Sequence, residues 1–75
     1  MATISDLTER QMEILQWVLA GQTNKAIAAK MSISEKTVEF HLGKIYTKIG
    51  RRTRMLAGMW ALQQGLRTES REIPN

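Results

Sequence analysis

The 75-residue sequence contains no cysteine and only one histidine, His41. Without cysteine there is no disulfide bond and no cysteine-based zinc site, and one histidine cannot form a metal site alone. No second histidine, acid pair or nucleophile motif accompanies His41. We therefore predict no metal ligand, no cofactor, no catalytic residue and no enzymatic activity.

Long apolar runs are also absent. No stretch approaches the roughly 18 consecutive apolar residues that a membrane-spanning helix requires. The first ten residues, MATISDLTER, lack the charged segment followed by an apolar stretch that marks a secretory signal. At this length we expect a single small domain, cytoplasmic and without a membrane partner.

Positive charge is present and unevenly distributed. Residues 21–54 carry eight basic side chains and two acidic ones, a net charge of +6, whereas residues 1–20 carry one basic and three acidic ones, a net charge of −2. A basic segment attracts polyanions because neutralised phosphates release their condensed counterions. Charge alone leaves a solvated basic face as an equal alternative.

Hydroxyl residues and glycines delimit four predicted helices. A Ser or Thr oxygen at the N-cap accepts a hydrogen bond from the first turn, and a glycine after the last turn adopts the left-handed backbone. On this basis the first helix runs from its N-cap Thr8 to Gly21, and the second, capped by Thr23, covers roughly 24–31. The third runs from its N-cap Ser34 to about Ile49, and the fourth, capped by Thr53, covers roughly 54–64 and is closed by Gly65. We predict an all-α fold over residues 1–66 and a flexible polar tail over 67–75.

The third predicted helix has one apolar and one polar face. Helical spacing places Val38, Leu42, Ile45 and Ile49 inside and Lys36, Glu39, Phe40, Gly43, Tyr46 and Thr47 outside. An outward aromatic residue suggests contact with a partner. A short helix, a turn at Ser32-Ile33 and a lysine-flanked longer helix are typical of a helix-turn-helix unit, whose second helix enters the major groove of DNA.

The fourth predicted helix has two apolar stripes. One consists of Ala57, Trp60, Ala61 and Gln64, and the other of Met55, Met59 and Leu62, with Leu56 beside it. A helix that is apolar on both sides needs a second burial partner in so small a domain. We predict that Met55, Met59 and Leu62 form the interface of a weak homodimer; packing against a further domain is the alternative.

Several spaced motifs resemble one known family. They are Leu7-Thr8-Glu9-Arg10-Gln11, Gly21 with Asn24-Lys25-Ala26-Ile27-Ala28, Ile33-Ser34 with Thr37-Val38 and His41, Lys48-Ile49-Gly50, and Arg54. Together they resemble the LuxR-type (GerE-like) helix-turn-helix domain of bacterial transcription regulators over about residues 7–62. That fold has a tri-helical core and a fourth, dimerisation helix.

The resemblance implies sequence-directed binding of double-stranded DNA in transcription regulation, usually by dimers. By position, the residues facing base edges would be Glu39, Phe40, Gly43 and Lys44. The residues meeting the DNA backbone would be Thr23, Asn24, Lys25, Lys36, Thr37 and Lys48. Family regulators normally carry an N-terminal sensor or receiver domain, so such a domain is an implied partner, and both an excised C-terminal half and a free-standing effector are consistent with the sequence.

Three positions depart from the family pattern. Glu39 stands where many relatives have Lys or Arg, and it can accept a hydrogen bond from a cytosine amino group, while Phe40 can pack on a thymine methyl group. Gly43 offers no base contact. Gln11 replaces a glutamate, and we expect its amide to hydrogen-bond Arg54. Two alternatives stay open: a helical protein-interaction module without DNA affinity, and the final helical region of a sigma factor.

Overall fold

The computed structural model describes residues 1–68, and this part of the chain is helical, without a β-strand. A 3-10 turn at Ile4–Asp6 precedes helices α1 (Glu9–Leu19), α2 (Asn24–Met31), α3 (Glu35–Ile49) and α4 (Arg54–Gln63). The predicted all-α, four-helix fold is therefore confirmed. Of the predicted tail, residues 67 and 68 have no regular structure, and residues 69–75 lie outside the described residues.

Each of the four helices begins at the predicted N-cap. At α1 the contacts are reciprocal: the Gln11 N–H donates to Thr8 Oγ1 at 3.1 Å, and the Thr8 N–H donates to Gln11 Oε1 at 3.0 Å. Thr23, Ser34 and Thr53 accept from the third residue of α2, α3 and α4 in the same way. These bonds satisfy N–H groups that have no partner inside the helix.

The turn between α2 and α3 is tight because Ser32 adopts a left-handed backbone, with φ 56° and ψ 42°. The Ile33 N–H donates to the Ala28 carbonyl at 3.0 Å, which closes the end of α2. A residue with a Cβ atom is strained in this conformation, by roughly 1–2 kcal/mol. The turn sets the angle at which α3 leaves α2.

The core lies between α1 and the other helices. Ile14 and Leu15 of α1, Ile27 of α2, and Val38 and Ile45 of α3 are fully buried. Helix α1 packs against both α3 and α4, and α2 packs against α3. The stripe Ala57, Trp60 and Ala61 attaches α4 to this core.

The predicted inner face of α3 is buried as expected, and its outer face is exposed with one exception. Tyr46 was expected outside, but it is half-buried and packs against the core cluster. Its place on the helix is at the edge between the two faces, where a long aromatic side chain can fold back onto apolar neighbours. The prediction for Tyr46 is therefore wrong.

Candidate nucleic-acid interface

The outer face of α3 is a mixed aromatic and cationic surface. Lys36, Glu39, Phe40, Gly43 and Lys44 are all exposed, and Phe40 keeps 60% of its surface accessible. Val38, Leu42, Ile45 and Ile49 on the opposite side of α3 are buried, so the core holds the helix while this face is left uncovered. All four predicted base-facing residues lie here.

Phe40 and Lys44 are neighbours one helical turn apart. The Lys44 Nζ lies 5.2 Å from the centre of the Phe40 ring, within the range of a cation–π interaction. The His41 ring meets the same phenyl ring edge-on, with centroids 5.9 Å apart. These contacts hold the Phe40 ring and the Lys44 ammonium together on the exposed face. The i, i+4 spacing in the sequence could have revealed this pair.

Gly43 leaves a gap beside that pair. Beyond its chain neighbours and the local helix backbone, a Cβ atom built on Gly43 would have no heavy atom within 4 Å, so the space is open. The Thr47 hydroxyl donates to the Gly43 carbonyl at 3.1 Å. The middle of the exposed face is thus bare backbone, which allows close approach of another molecule.

Three of the residues predicted to contact the DNA backbone lie at the start of α2. Thr23 Oγ1 accepts from the Ala26 N–H at 3.1 Å, which leaves the hydroxyl proton available to donate. Lys25 is exposed and Asn24 is half-buried. A helix N-terminus carries partial positive charge and unpaired N–H groups, so this turn is suited to an anion.

Arg54 fixes the orientation of Asn24. Its Nη1 donates to Asn24 Oδ1 at 2.7 Å and its Nη2 donates to the Gln22 carbonyl at 2.6 Å. A guanidinium group only donates, so the amide oxygen of Asn24 must face it and the amide NH2 is left for another acceptor. Sequence reasoning singled out Arg54 but missed this role, because no local pattern joins the starts of α2 and α4.

The expected bond between Gln11 and Arg54 is wrong. Gln11 Oε1 instead accepts from Lys48 Nζ, at 3.0 Å. The first turn of α1 lies beside the last turn of α3, whereas Arg54 lies beside the first turn of α2. Lys48 is exposed at the edge of α3, and Gln11 is buried, with 6% of its surface accessible.

The remaining residues predicted to contact the DNA backbone are Lys36 and Thr37, in the first turn of α3. Thr37 is half-buried, and its hydroxyl lies 2.9 Å from the Ser34 hydroxyl. Lys36 is exposed on the outer face. The residues predicted to contact the DNA backbone therefore lie in two places, at the start of α2 and on the flanks of α3.

The second apolar stripe of α4 faces outward. Met55, Met59 and Leu62 are 73%, 51% and 60% exposed, and Leu56 beside them is 44% exposed. An open depression of about 460 Å³ lies between this stripe and the end of α1, where Val18 and Leu19 contribute apolar side chains. The stripe has no partner within residues 1–68.

Within residues 1–68, no group of three or more His, Asp or Glu side chains is placed to hold a metal ion. No helix in this part of the chain has the length and apolarity needed to cross a membrane.

Comparison with known proteins identifies relatives. Residues 5–61 match the family model described as bacterial regulatory proteins, luxR family. The transcriptional regulatory protein TdiR of Thauera aromatica is 49% identical over 47 residues, which are 63% of this chain and 21% of that protein. The nitrate/nitrite response regulator protein NarP of Escherichia coli is 40% identical over 60 residues, which are 80% of this chain and 28% of that protein.

A third relative is the HTH-type quorum-sensing regulator RhlR of Pseudomonas aeruginosa, 42% identical over 60 residues, which are 80% of this chain and 25% of that protein. The chain thus spans between 21% and 28% of the length of these three proteins. The family match covers the exposed face of α3, the first turn of α2, and Met55 and Met59 of the α4 stripe. The chain belongs to the LuxR family of bacterial regulatory proteins, as a helix-turn-helix domain of the DNA-binding regulatory type.

Proposed function

We propose that α3 enters the major groove of double-stranded DNA and presents Glu39, Phe40, Gly43 and Lys44 to base edges. The observation that carries this proposal is the exposed Phe40–Lys44 pair on a helix whose opposite face is locked in the core. The major groove, about 12 Å wide, admits an α-helix. Lys44 suits guanine, which offers two acceptors, while Phe40 suits a thymine methyl group and Glu39 a cytosine amino group.

Phosphates flank this helix in the proposed complex. The Thr23 hydroxyl, the Asn24 amide and Lys25 lie at the positive end of α2, where a phosphate is stabilised by the helix dipole. Lys36, Thr37 and Lys48 meet phosphates from α3. These contacts supply most of the affinity and fix the register of the protein on the duplex.

Two copies pair through α4 in the proposed assembly, with Met55, Met59 and Leu62 at the interface. The exposure of these three side chains supports it. One pair of helices buries less than the ~1,200 Å² typical of a stable interface, so pairing of free domains is weak. DNA compensates by holding both copies at high local concentration on half-sites about 34 Å apart.

The same family supports an inference about the role of the whole protein. We infer a non-enzymatic, cytoplasmic transcription regulator in which residues 1–66 form the DNA-binding domain and a sensor or receiver domain lies N-terminal to it. The relatives support this inference because they are named as regulators and are several times longer than the matched segment.

The test is a titration of the protein with duplex DNA over a series of salt concentrations. Lys48→Ala should weaken binding to all duplexes alike and lower the slope of log K against log salt by about 0.9, the contribution of one phosphate contact. Arg67→Ala is the control, because it removes one exposed charge beyond α4 and should leave the slope unchanged. Absence of salt-dependent binding by the unsubstituted protein would favour a protein-interaction module instead.

A further inference from the structure

The buried side chain of Gln11 joins the start of α1 to the end of α3. Its Oε1 accepts two hydrogen bonds, from the Thr8 N–H at 3.0 Å and from Lys48 Nζ at 3.0 Å. The first donor belongs to the backbone at the start of α1, so the position of the oxygen is fixed by that helix. The second donor is the ammonium of an exposed lysine on the flank of α3.

This contact restrains a side chain that would otherwise sample many rotamers. Lysine has four rotatable side-chain bonds and three N–H donors on its ammonium. One donor is used by Gln11, which leaves two for an acceptor in solution. Because 94% of the Gln11 surface is buried, its amide is itself held in place.

The contact leaves the charge of Lys48 uncompensated. Within residues 1–68 the partner of this ammonium is a neutral amide and not a carboxylate. A glutamate at position 11 would keep the capping box at the start of α1, since Glu serves there as well as Gln. It would also form an ion pair with Lys48 and cancel the charge that a phosphate would meet.

We propose that Gln11 is a positioning residue for DNA binding: it aims the ammonium of Lys48 at a backbone phosphate without neutralising it. The proposal rests on the proposed phosphate contact of Lys48. Gln11 itself stays buried beneath the interface and acts through the lysine. The restraint is established when the domain folds, so less side-chain freedom is lost when DNA binds.

The experiment compares four variants on a duplex of random sequence over a series of salt concentrations. Gln11→Glu should lower the salt slope by up to about 0.9, nearly as much as Lys48→Ala. Gln16→Glu is the matched control, since it adds the same charge elsewhere on α1 and should change the slope much less. Gln11→Met removes the acceptor but adds no charge; it should weaken binding roughly two- to tenfold, the effect of releasing one long side chain, with the slope unchanged.

A double variant separates positioning from a general effect on the fold. In a Lys48→Ala background, Gln11→Met should leave the affinity for DNA unchanged, because there is no ammonium left to aim. Circular dichroism melting identifies any variant that has lost its fold; Gln11→Glu keeps the cap and tests the proposal even if Gln11→Met unfolds.

Two results would overturn the proposal in distinguishable ways. In the first result, Lys48→Ala lowers the slope, but Gln11→Glu has no more effect than Gln16→Glu. Gln11→Met also weakens binding equally with or without Lys48. Lys48 then meets phosphate without help from Gln11, and the proposal fails while the proposed function stands. If Lys48→Ala leaves the slope unchanged, the phosphate contact of Lys48 fails and the role of Gln11 fails with it.

Discussion

The guanidinium group of Arg54 donates a 2.7 Å hydrogen bond to the side-chain oxygen of Asn24, 30 residues earlier in the chain. Its other terminal nitrogen donates to the Gln22 carbonyl. A single side chain therefore ties the first turn of α4, where the exposed apolar stripe begins, to the first turn of α2, where phosphate is proposed to bind. The orientation of the Asn24 amide depends on this tie.

Loss of this tie should cost stability. Arg54→Ala leaves the Asn24 and Gln22 oxygens without their donor, and a hydrogen bond to a charged group contributes about 1.5–3 kcal/mol. We expect a loss of that order in the free energy of unfolding, measured by urea denaturation. Arg52→Ala is the control: Arg52 is exposed, and its removal should change stability by less than about 0.5 kcal/mol.

Arg54→Lys should recover little of the lost stability, because an ammonium cannot reproduce the two parallel hydrogen bonds of a guanidinium. Equal stability of the Arg54→Ala and Arg52→Ala variants would show that the tie is dispensable.

Ser32→Gly should stabilise the domain. The left-handed backbone of Ser32 is strained for a residue with a Cβ atom and unstrained for glycine, so we expect a gain of roughly 1 kcal/mol in the free energy of unfolding. Ser32→Ala keeps the Cβ atom and should behave like the unsubstituted protein. A glycine variant that is less stable than the alanine variant would contradict this account of the turn. DNA affinity should be unchanged in both variants.

Glu39 tests whether the exposed face of α3 meets DNA. Glu39→Lys removes one repulsion and adds one cation, so affinity for any duplex should rise, the salt slope should increase by up to about 0.9, and the preferred sequence should change. Glu13→Lys makes the same charge change at an exposed position of α1 and serves as the control. Binding and site selection on a randomised duplex library measure both effects. If Glu39→Lys and Glu13→Lys change the slope equally, the face of α3 is not in the groove.

Met59 tests the proposed pairing through α4. Met59→Glu places two like charges across the interface, so cooperative occupancy of a paired site should be lost while half-site binding stays nearly intact. Gln63→Glu adds the same charge at an exposed position of α4 outside the stripe and should keep most of the cooperativity. Gel-shift titrations on one-site and two-site duplexes distinguish these outcomes. Cooperativity that survives Met59→Glu would assign the stripe to another role, such as docking of a further domain.

Features that depend on nearby residues were predictable from the sequence. The caps at Thr8, Thr23, Ser34 and Thr53 each involve an oxygen and an N–H group three residues apart, so composition and spacing suffice to find them. The buried face of α3 follows from the helical period in the same way.

Features that depend on how helices meet were not predictable. Gln11 was paired with Arg54, but the structure places Lys48 beside Gln11 and Asn24 beside Arg54. Two cationic donors, Lys48 and Arg54, and two amides, Gln11 and Asn24, allow more than one pairing, and only the crossing of the helices selects one. Tyr46 was placed outside for a similar reason: the position is at the boundary between faces, and the shape of the neighbouring core decides which way the ring turns.

Helix α1 packs against both α3 and α4, while α3 and α4 share few direct contacts. The angle between the helix proposed to lie in the groove and the stripe proposed to join two copies is therefore set largely through α1, which holds none of the residues assigned to either contact. Substitutions at Ile14 or Leu15 can tilt one helix relative to the other. Evolution could in this way retune the preferred separation of half-sites in an operator without altering any residue that recognises a base.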